Sequence, residues 1–492
     1  MEGVLQDQVV ATDYQKIGFK CGIEVHNRLA TETKLFCHCP ARFSTEKPSS
    51  IVRRRLRPIV GELGTVDIAA LQEYLKNRVY AYQVFSDTVC LIDIDEEPPM
   101  EMNREALVVA LQVCKLLNAK IPDEIQVMRK IVLDGSDTTS FQRTAIVGLN
   151  GVLETSKGSV RITNISLEEE SAGIVKKDQS EIVYRLDRSG IPLIEIGTAP
   201  DIRDPAHAKE VASLLGMLVR STGKSQRGIG VTRQDVNVSV TGGARVEIKG
   251  FQDIDMIEKV IEKEVQRQLD IISKSVKPKE ETRAVREDGS TEFMRPLPGE
   301  HRMYPETDVP PIPVTKEVLK NVNIPETWQE KSKRFEKYLP RVMAEQMVKS
   351  DYSEIFEELM KNNDPVLVAN TLLSVLKDLR RKGMKTENIA DKHLIELFSA
   401  IRSGKMSKEA IPSVLEIVGI ENASVEEALK RSGLQGMSEA ELRKAVKGVL
   451  SRHPELVKEK KISPLMGEVM KVVRGRISGQ VVKKVLDEEL GL

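Results

Sequence analysis

The sequence predicts an α+β fold in which a large mixed or antiparallel sheet forms a cradle, followed by an all-α helical domain and a small helical tail. Short β-branched runs bounded by Gly, Pro and Asp are typical of strands, and they dominate up to about residue 315, as in Phe19–Val25 and Ile191–Ile196. Two longer helical patterns, Asn103–Leu117 and Pro205–Ser221, interrupt these runs. Beyond residue 315 apolar residues recur at helical spacing, as in Val366–Arg380.

Length and composition narrow the class of protein. A chain of 492 residues exceeds one compact core, and changes of pattern predict domains over residues 1–315, 316–403 and 404–492. Lys+Arg and Asp+Glu are equal at 74 each, so only a local excess of charge can indicate a polyanionic partner. The sequence shows no apolar run of about 18 residues, no secretory leader, and an odd number of cysteines. We therefore expect a cytoplasmic protein with reduced thiols and no membrane association.

The first predicted strand carries a candidate ion site. From Phe19 to His26 the odd positions are apolar and the even positions are not, which puts Glu24 and His26 on one face. Side chains two residues apart on a strand are separated by about 6.5–7 Å, close enough to converge on one ion. A half-exposed strand face explains the same two residues equally well.

Two other segments place carboxylates near predicted strands. Leu167–Ser171 contains three consecutive glutamates, which by themselves fit a solvated loop. Glu195 stands alone in the apolar run Ile191–Ile196, and a buried carboxylate must be paired, protonated or bound to a metal. A structural ion pair with an arginine is an equal alternative. Taken together, carboxylates and one histidine on separate strands would suit Mg²⁺ holding nucleotide phosphates.

The segment Arg129–Thr144 is a candidate phosphate site. A basic pair and a later Gln and Arg flank a Gly/Ser/Thr-rich turn, and both backbone N–H groups and arginine forks suit phosphate. Its order of residues does not match a Walker A loop. An ordinary polar turn with flanking charges is the alternative.

The cysteines argue against zinc. Cys37 and Cys39 resemble half of a zinc knuckle, but a closed site needs four ligands, and Cys90 and Cys114 are isolated in the sequence. We therefore expect no zinc. No Ser–Lys arrangement typical of amidases is visible either, so the chain is not expected to liberate ammonia itself.

The C-terminal tail is locally basic. Between Arg443 and Lys484, twelve Lys and Arg stand against three Glu, an excess of nine positive charges. Such an excess favours contacts with the phosphate backbone of RNA, with a solvated helical surface as the alternative. Arg53–Arg55 with Arg57 forms a second basic cluster, which an exposed loop would also explain.

Several longer stretches resemble the B/E family of tRNA-dependent amidotransferase subunits over essentially the whole chain. They are Gly22–His26, Lys34–Cys37, Glu169–Gly173, Asp187–Ile196 and Met303–Asp308. Stretches that look like the archaeal E branch rather than the bacterial B branch are Leu56–Pro58, Asp95–Pro99, Asp134–Ser136 and Phe141–Thr144. The tail around Met466–Lys471 resembles the family's tRNA-binding helical tail.

The resemblance implies a carbon–nitrogen ligase. ATP would phosphorylate the glutamyl γ-carboxylate of Glu-tRNA(Gln), and ammonia would then displace the phosphate. The implied catalytic and Mg²⁺-binding residues are Glu24, His26, Glu170 and Glu195. The candidate contacts to nucleotide or acyl phosphate are Arg129, Lys130, Gln142 and Arg143. Ammonia would come from an asparaginase-like partner, the D-type amidotransferase component of that branch, in a heterotetramer with two copies of each chain.

One departure and two rival functions remain open. The E branch usually carries an inserted domain resembling one from bacterial aspartyl-tRNA synthetase, expected between Arg283 and Phe293, yet only Ala284–Glu292 lies there. A catalytically silent tRNA-binding scaffold is one rival, although a scaffold has no physical need for Glu195 in an apolar strand. A relative acting on Asp-tRNA(Asn) is the other.

Overall fold

The structure is a computed structural model that describes residues 12–57, 60, 64–66, 68–132, 134–228, 230–251, 253–297, 303–434, 436–437, 439–458, 461–473, 476–477 and 479–491. The chain divides into two compact units, Met1–Thr327 and Trp328–Leu492. The first unit is built largely of strands and the second of helices, so the predicted α+β class is confirmed. Among the described residues no helix combines the length and the apolar character needed to cross a membrane.

The first unit contains the strands. They are β1 (Lys20–Arg28), β2 (Ser50–Arg54), β3 (Val79–Val84), β4 (Glu124–Ile125), β5 (Val127–Ile131), β6 (Phe141–Thr155), β7 (Gly158–Glu169), β8 (Gly173–Lys177), β9 (Glu181–Arg185), β10 (Pro192–Thr198), β11 (Thr232–Ser239), β12 (Val246–Lys249), β13 (Glu281–Val285), β14 (Thr291–Pro296), β15 (Met303–Pro305) and β16 (Ile312–Pro313). Its helices are α1 (Ile68–Leu75), α2 (Arg104–Leu116), α3 (Pro205–Arg220), α4 (Met256–Ser273) and α5 (Lys316–Asn321).

Within the described residues, one ten-stranded sheet dominates this unit. Its order is β14-β13-β12-β11-β1-β10-β7-β6-β5-β15, and β12–β13 is its parallel pair among otherwise antiparallel neighbours. A second sheet has the order β2-β3-β9-β8, and β16 pairs with β4. The large mixed sheet of the prediction is therefore confirmed.

Alternation along the strands separates a core face from a polar face. Cys21, Ile23 and Val25 of β1 are buried in the core that the sheet shares with α2, α3 and α4. α3 begins sharply because Asp204 accepts a hydrogen bond from the N–H of His207, while Pro205 occupies its first turn. Since β1 has helices on one side, its even-numbered residues face the opposite side, where the candidate site lies.

The second unit is helical throughout. Its helices are α6 (Trp328–Phe335), α7 (Arg341–Lys349), α8 (Ser353–Leu359), α9 (Pro365–Asn370), α10 (Leu376–Arg381), α11 (Asp391–Arg402), α12 (Ile411–Glu421), α13 (Val425–Ser432), α14 (Glu439–Arg452), α15 (Pro454–Lys458), α16 (Ile462–Val473) and α17 (Gly479–Glu489). A π-helical turn, Thr371–Val375, links α9 to α10. One core joins α6–α13 and a separate core joins α14, α16 and α17.

These cores extend past both domain boundaries that the sequence predicted, at residues 315 and 403. Val322, beyond the predicted boundary at residue 315, belongs to the core of the first unit. Met406 and Leu415, beyond the predicted boundary at residue 403, share one core with Phe398. The polar stretch that predicted a division at 403 is a connection between packed helices, and the core changes only after Leu429.

Candidate active site

A cavity of about 820 Å³ lies over the polar face of the large sheet, within the first unit. Side chains of β1, β7, β10, β11, β12 and β14 line it, and residues of β8 and β9 from the second sheet form part of its wall. A volume of this size is in the range typical of small-molecule sites. Its polar lining comes from the same strand alternation that builds the core on the other face.

Four carboxylates and a histidine on this face form what we call the carboxylate cluster: Glu24, His26, Glu168, Glu195 and Asp235. The sheet register explains their meeting, because β1 pairs His26 with Glu195 on one edge and Glu24 with Asp235 on the other. One ligand atom each of His26, Glu168 and Glu195 lie within 4.8 Å of one another, as do those of Glu24, His26 and Asp235.

Two lysines partly neutralise the carboxylate cluster. Nζ of Lys130 lies 2.5 Å from Oε1 of Glu168 and 3.7 Å from Oε2 of Glu195. Nζ of Lys249 lies 2.6 Å from Oδ2 of Asp235. Four buried or half-buried carboxylates thus face two lysines and one histidine, an arrangement that retains room for a cation.

The protonation of the cluster reflects this imbalance. Burial, followed by the Glu195 charge, raises the pKa of Glu24 to about 7. Burial lowers the pKa of His26. The hydrogen bond to Glu195, 3.2 Å long, and the negative charge of Glu195 outweigh burial and raise the pKa of His26 to about 9. Burial would raise the pKa of Glu195, yet Lys130 and His26 hold it well below its usual range. The cluster is therefore strongly coupled electrostatically.

Glu170 lies in different surroundings, which we call the arginine cluster: Arg28, Arg188 and Arg233 around one carboxylate. Nη1 and Nη2 of Arg233 donate to the two oxygens of Glu170 at 2.6 and 2.9 Å. Arg188 and Arg28 approach the same carboxylate at 3.5 and 3.9 Å. Of the four metal ligands expected from the sequence, Glu24 and Glu195 each lie within 4.8 Å of His26, in two groups that share this histidine, whereas Glu170 is held by the arginines.

The four candidate nucleotide contacts divide between two faces. Lys130 and Gln142 are cross-strand partners and line the cavity. Arg129 and Arg143 form the next cross-strand pair of β5 and β6. Both bind the buried Glu306 on the opposite face of the sheet, and Nε of Arg143 donates to its carboxylate at 2.8 Å. Arg129 and Arg143 thus lie outside the lining of this cavity, because adjacent residues of a strand point to opposite faces.

Two tyrosines hold the turn between β5 and β6. The hydroxyls of Tyr82 and Tyr184 donate to the carbonyls of Gly135 and Asp134 at 2.9 and 2.7 Å. Gly135 has a φ of +85°, and a Cβ there would lie 2.1 Å from the ring of Tyr80. Asp134 and Ser136 of this turn line the cavity, while Leu133 lies outside the described residues.

The cysteine prediction rested on a wrong premise. Cys90 is not isolated, because Cys37, Cys39, Cys90 and Asp93 place one ligand atom each within 4.8 Å of one another. The chain reversal between β3 and α2 brings Cys90 to the earlier pair, a contact that spacing along the chain cannot reveal. The reason given for expecting no zinc therefore does not hold. All the cysteines lie in the described part and are free thiols.

The basic tail is more balanced than its sequence window indicated. Arg443 lies 2.5 Å from Glu488 and 3.3 Å from Glu489, and Lys447 lies 3.6 Å from Glu489. Glu488 and Glu489 lie a few residues after Lys484, the end of the basic stretch in the sequence. In the first unit Arg53 likewise pairs with Glu181 at 3.0 Å. Lys460 and Arg474 of the tail, and Pro58 of an archaeal-type stretch, lie outside the described residues.

Strand β11 contributes residues that the sequence reasoning missed. Arg233 and Asp235 line the cavity, and Lys249 of β12 lies beside them. Polar residues alternating with Val236 and Val238 were the available signal, since this is the pattern of a strand with one buried face.

Two family models match the chain: the GatB/GatE catalytic domain over residues 19–320 and a GatB domain over residues 354–490. The chain belongs to the GatB/GatE family. Among relatives named as the E-type component of glutamyl-tRNA(Gln) amidotransferase, the protein of Methanocaldococcus jannaschii is 36% identical, over 97% of this chain and 99% of the relative. Those of Methanosarcina barkeri and Archaeoglobus fulgidus are each 35% identical over 97% of this chain, covering 98% and 99% of their own lengths.

The alignment to the Methanocaldococcus jannaschii protein extends over 624 positions, although this chain has 492 residues, so that relative carries at least 132 residues that this GatB/GatE family member lacks. At the place where an inserted domain was expected, β13 and β14 form an antiparallel hairpin. Arg286 and Ser290 close its turn, with the N–H of Arg286 donating to the carbonyl of Ser290 at 2.8 Å. The hairpin leaves no room in the sequence for a further domain at this point.

Proposed function

We propose that the chain is the kinase and transamidase component of a glutamyl-tRNA(Gln) amidotransferase. The observation that carries this proposal is the carboxylate cluster beside Lys130 in a cavity of the matched catalytic domain. A γ-carboxylate oxygen of tRNA-bound glutamate would attack the terminal phosphorus of ATP, and ADP would leave. Ammonia would then attack the acyl carbon of the glutamyl phosphate, releasing inorganic phosphate, and the nitrogen would lose a proton as the amide forms.

The carboxylate cluster fits a magnesium ion by the chemistry of its donors. Mg²⁺ prefers carboxylate oxygens and is usually held by a few of them together with water and substrate phosphates. We propose Glu24, His26 and Glu195 as its residues, with Glu168 the neighbouring carboxylate; the ion would replace the proton that Glu195 stabilises on His26. Glu170, the other ligand proposed from the sequence, would have to leave its arginines first. When bound, the ion would neutralise phosphate charge during phosphoryl transfer.

The chain's own residues would position the nucleotide and the acyl group. Lys130, whose ammonium pairs with Glu168 and lies near Glu195, would turn its charge toward a phosphate. Gln142 donates to the carbonyl of Glu169 at 2.6 Å, which keeps the end of β7 in place beside it. These contacts favour orientation and charge stabilisation as the sources of rate.

The partners follow from the same proposal. We propose that aminoacylated tRNA(Gln) is the substrate and that the basic helices after residue 435 contact its phosphates. Ammonia would come from a separate asparaginase-like protein, the D-type component, in an assembly with two copies of each chain. Cytoplasmic location is part of this proposal.

The test uses the purified chain alone, with Glu-tRNA(Gln), γ-labelled ATP, Mg²⁺ and a high concentration of ammonium. Formation of Gln-tRNA(Gln) with cleavage of ATP is the expected result. The absence of product despite measurable tRNA binding would favour the scaffold alternative. A parallel reaction with Asp-tRNA(Asn) separates the remaining alternative, because preference for that substrate would contradict the assignment to glutamate.

A further inference from the structure

The arginine cluster carries more positive charge than its carboxylate can balance. Three guanidinium groups, of Arg28, Arg188 and Arg233, surround Glu170, whose side chain is only 2% exposed. Arg28 is itself 5% exposed, and its Nε has no hydrogen-bond partner. A buried guanidinium whose Nε lacks a hydrogen-bond partner is costly unless the folded protein uses it.

Nearby acids do not supply the missing charge. Asp187 is taken by the guanidinium of Arg185, with Nε donating to Oδ1 at 2.7 Å. Asp235 is taken by Lys249. Burial, followed by the charges of Asp134 and Glu169, raises the pKa of Asp137 well above its ordinary value, so this carboxyl is held toward its neutral form. Among the described residues, Glu170 is the carboxylate that lies within 4 Å of the three guanidiniums, which leaves an excess of positive charge beside the cavity.

Two of the three guanidiniums are open to the cavity. The side chains of Arg233 and Arg188 are 34% and 28% exposed and line it, whereas Arg28 lies behind them, 5.2 Å above the ring of Phe43. Arg188 is oriented by its Nε, which donates to the carbonyl of Ser171 at 2.7 Å. A planar fork of this kind matches the oxygens of a carboxylate or a phosphoryl group.

We infer that the arginine cluster is an oxyanion-binding site of the substrates, and that Glu170 fills it until the oxyanion arrives. The inference rests on the proposed function for the identity of its ligands. The shared chemistry is a group with two or three anionic oxygens, which either the terminal phosphate of the nucleotide or the side-chain carboxylate of the substrate provides. Displacement would free Glu170 to turn toward the carboxylate cluster, two residues along the chain from Glu168.

The inference makes Glu170 an internal competitor, which the isosteric variant Glu170→Gln tests. Inorganic phosphate is titrated calorimetrically into the purified chain, without ATP, tRNA or turnover. Since Arg188 and Arg233 lose their anionic partner and can form charge-assisted bonds to an oxyanion in the cavity, phosphate should bind at least about tenfold more tightly to the variant than to the wild type. Unchanged or weaker binding would overturn the inference.

A matched control is present on the same chain. Arg161 and Asp201 form a bidentate pair with both distances 2.8 Å, but on the surface and without further arginines. Asp201→Asn should therefore leave phosphate affinity unchanged. Because Glu170→Gln could act by loosening the fold, its thermal unfolding is measured with and without phosphate, and saturating phosphate should raise its midpoint more than that of the wild type. An equal rise in both would count against the site.

The two sources of the oxyanion are separated by steady-state kinetics of Arg188→Gln in the full reaction. A rise of at least about tenfold in KM for ATP alone would identify the phosphate of the nucleotide. A similar rise in KM for Glu-tRNA(Gln) alone would identify the substrate carboxylate. Normal KM values for both would overturn the inference. A failure of the proposed function would leave the phosphate titration intact, so the two outcomes are distinguishable.

Discussion

The carboxylate cluster and the arginine cluster border one cavity but have opposite imbalances of charge. In the first, four carboxylates face two lysines and a histidine; in the second, three arginines face one carboxylate. Glu168 and Glu170 are only two residues apart, yet each belongs to a different cluster. The difference teaches that one half of the cavity suits a cation and the other an oxyanion, which is what a reaction between a metal-bound nucleotide and a carboxylate needs side by side.

The largest effect is expected at Glu195, the carboxylate that contacts both His26 and Lys130. Glu195→Gln removes its charge with little change of shape. We expect kcat for Gln-tRNA formation to fall at least about a hundredfold, about 3 kcal/mol of transition-state stabilisation. The affinity for tRNA should not change, which a filter-binding assay checks. Near wild-type kcat would remove Glu195 from the cation half of the cavity.

The next effect is on stability, at Lys130. Lys130→Met leaves Glu168 and Glu195 facing each other without their shared ammonium, which should cost about 3 kcal/mol of unfolding free energy. Far-UV circular dichroism during urea unfolding is the measurement, because the single tryptophan, Trp328, lies in the second unit. Added Mg²⁺ should recover part of the loss, and a variant as stable as the wild type would contradict the charge imbalance assigned here.

An acid-dependent effect is expected outside the cavity, where two arginines hold Glu306. Burial would raise the pKa of Glu306, but Arg129, Arg143 and the N–H of Asp308 outweigh it and lower it. A lowered folded-state pKa stabilises the protein above the unfolded value of about 4.3, and this stability is lost as pH falls through the folded value.

Glu306→Gln should therefore flatten the decline of stability below pH about 4.3 and cost about 1–2 kcal/mol at pH 7. Urea unfolding at a series of pH values measures it. Because Glu306 does not line the cavity, phosphate and Mg²⁺ binding should not change. If Glu306→Gln also weakened the binding of phosphate or Mg²⁺, Glu306 would have to be counted with the two clusters as a contributor to ligand binding.

The smallest effect is expected at Arg28. Arg28→Met removes one surplus buried charge and keeps most of the volume, so stability should change by less than about 1 kcal/mol or increase. The contrast between this small effect at Arg28 and the large loss at Lys130 is the sharpest form of the comparison. A loss at Arg28 as large as that at Lys130 would show that the arginine cluster is balanced after all.

Sequence reasoning recovered what depends on local alternation. Glu24 and His26 share a face because β1 alternates polar and apolar residues, and this period is readable without a structure. Glu195 was singled out as a lone carboxylate in an apolar run, and the pairing of β1 with β10 places it opposite His26. Alternation also puts the adjacent residues Arg129 and Lys130 on opposite faces of β5. Sequence reasoning missed this because it interpreted the segment as a turn and not as a strand.

What depends on register and on distant pairing could not be predicted. Of three consecutive glutamates, Glu168 joins Glu195 because β7 pairs with β10 in a register that places Ser166 opposite Glu195. No local pattern sets that register. The approach of Cys90 to Cys37 and of Arg28 to Glu170 likewise comes from segments more than fifty residues apart. Such contacts are properties of the folded sheet.

The most direct test of the central claim measures ADP formation by the isolated chain with ATP, Mg²⁺ and Glu-tRNA(Gln), without any source of ammonia. If phosphorylation of the glutamyl carboxylate occurs in this cavity, ADP should form only when Glu-tRNA(Gln) is present, and Glu195→Gln should abolish it. Uncharged tRNA(Gln) is the matched control and should give no stimulation. ADP formation that ignores the glutamyl group, or that survives in Glu195→Gln, would contradict the assignment of the kinase step to these residues.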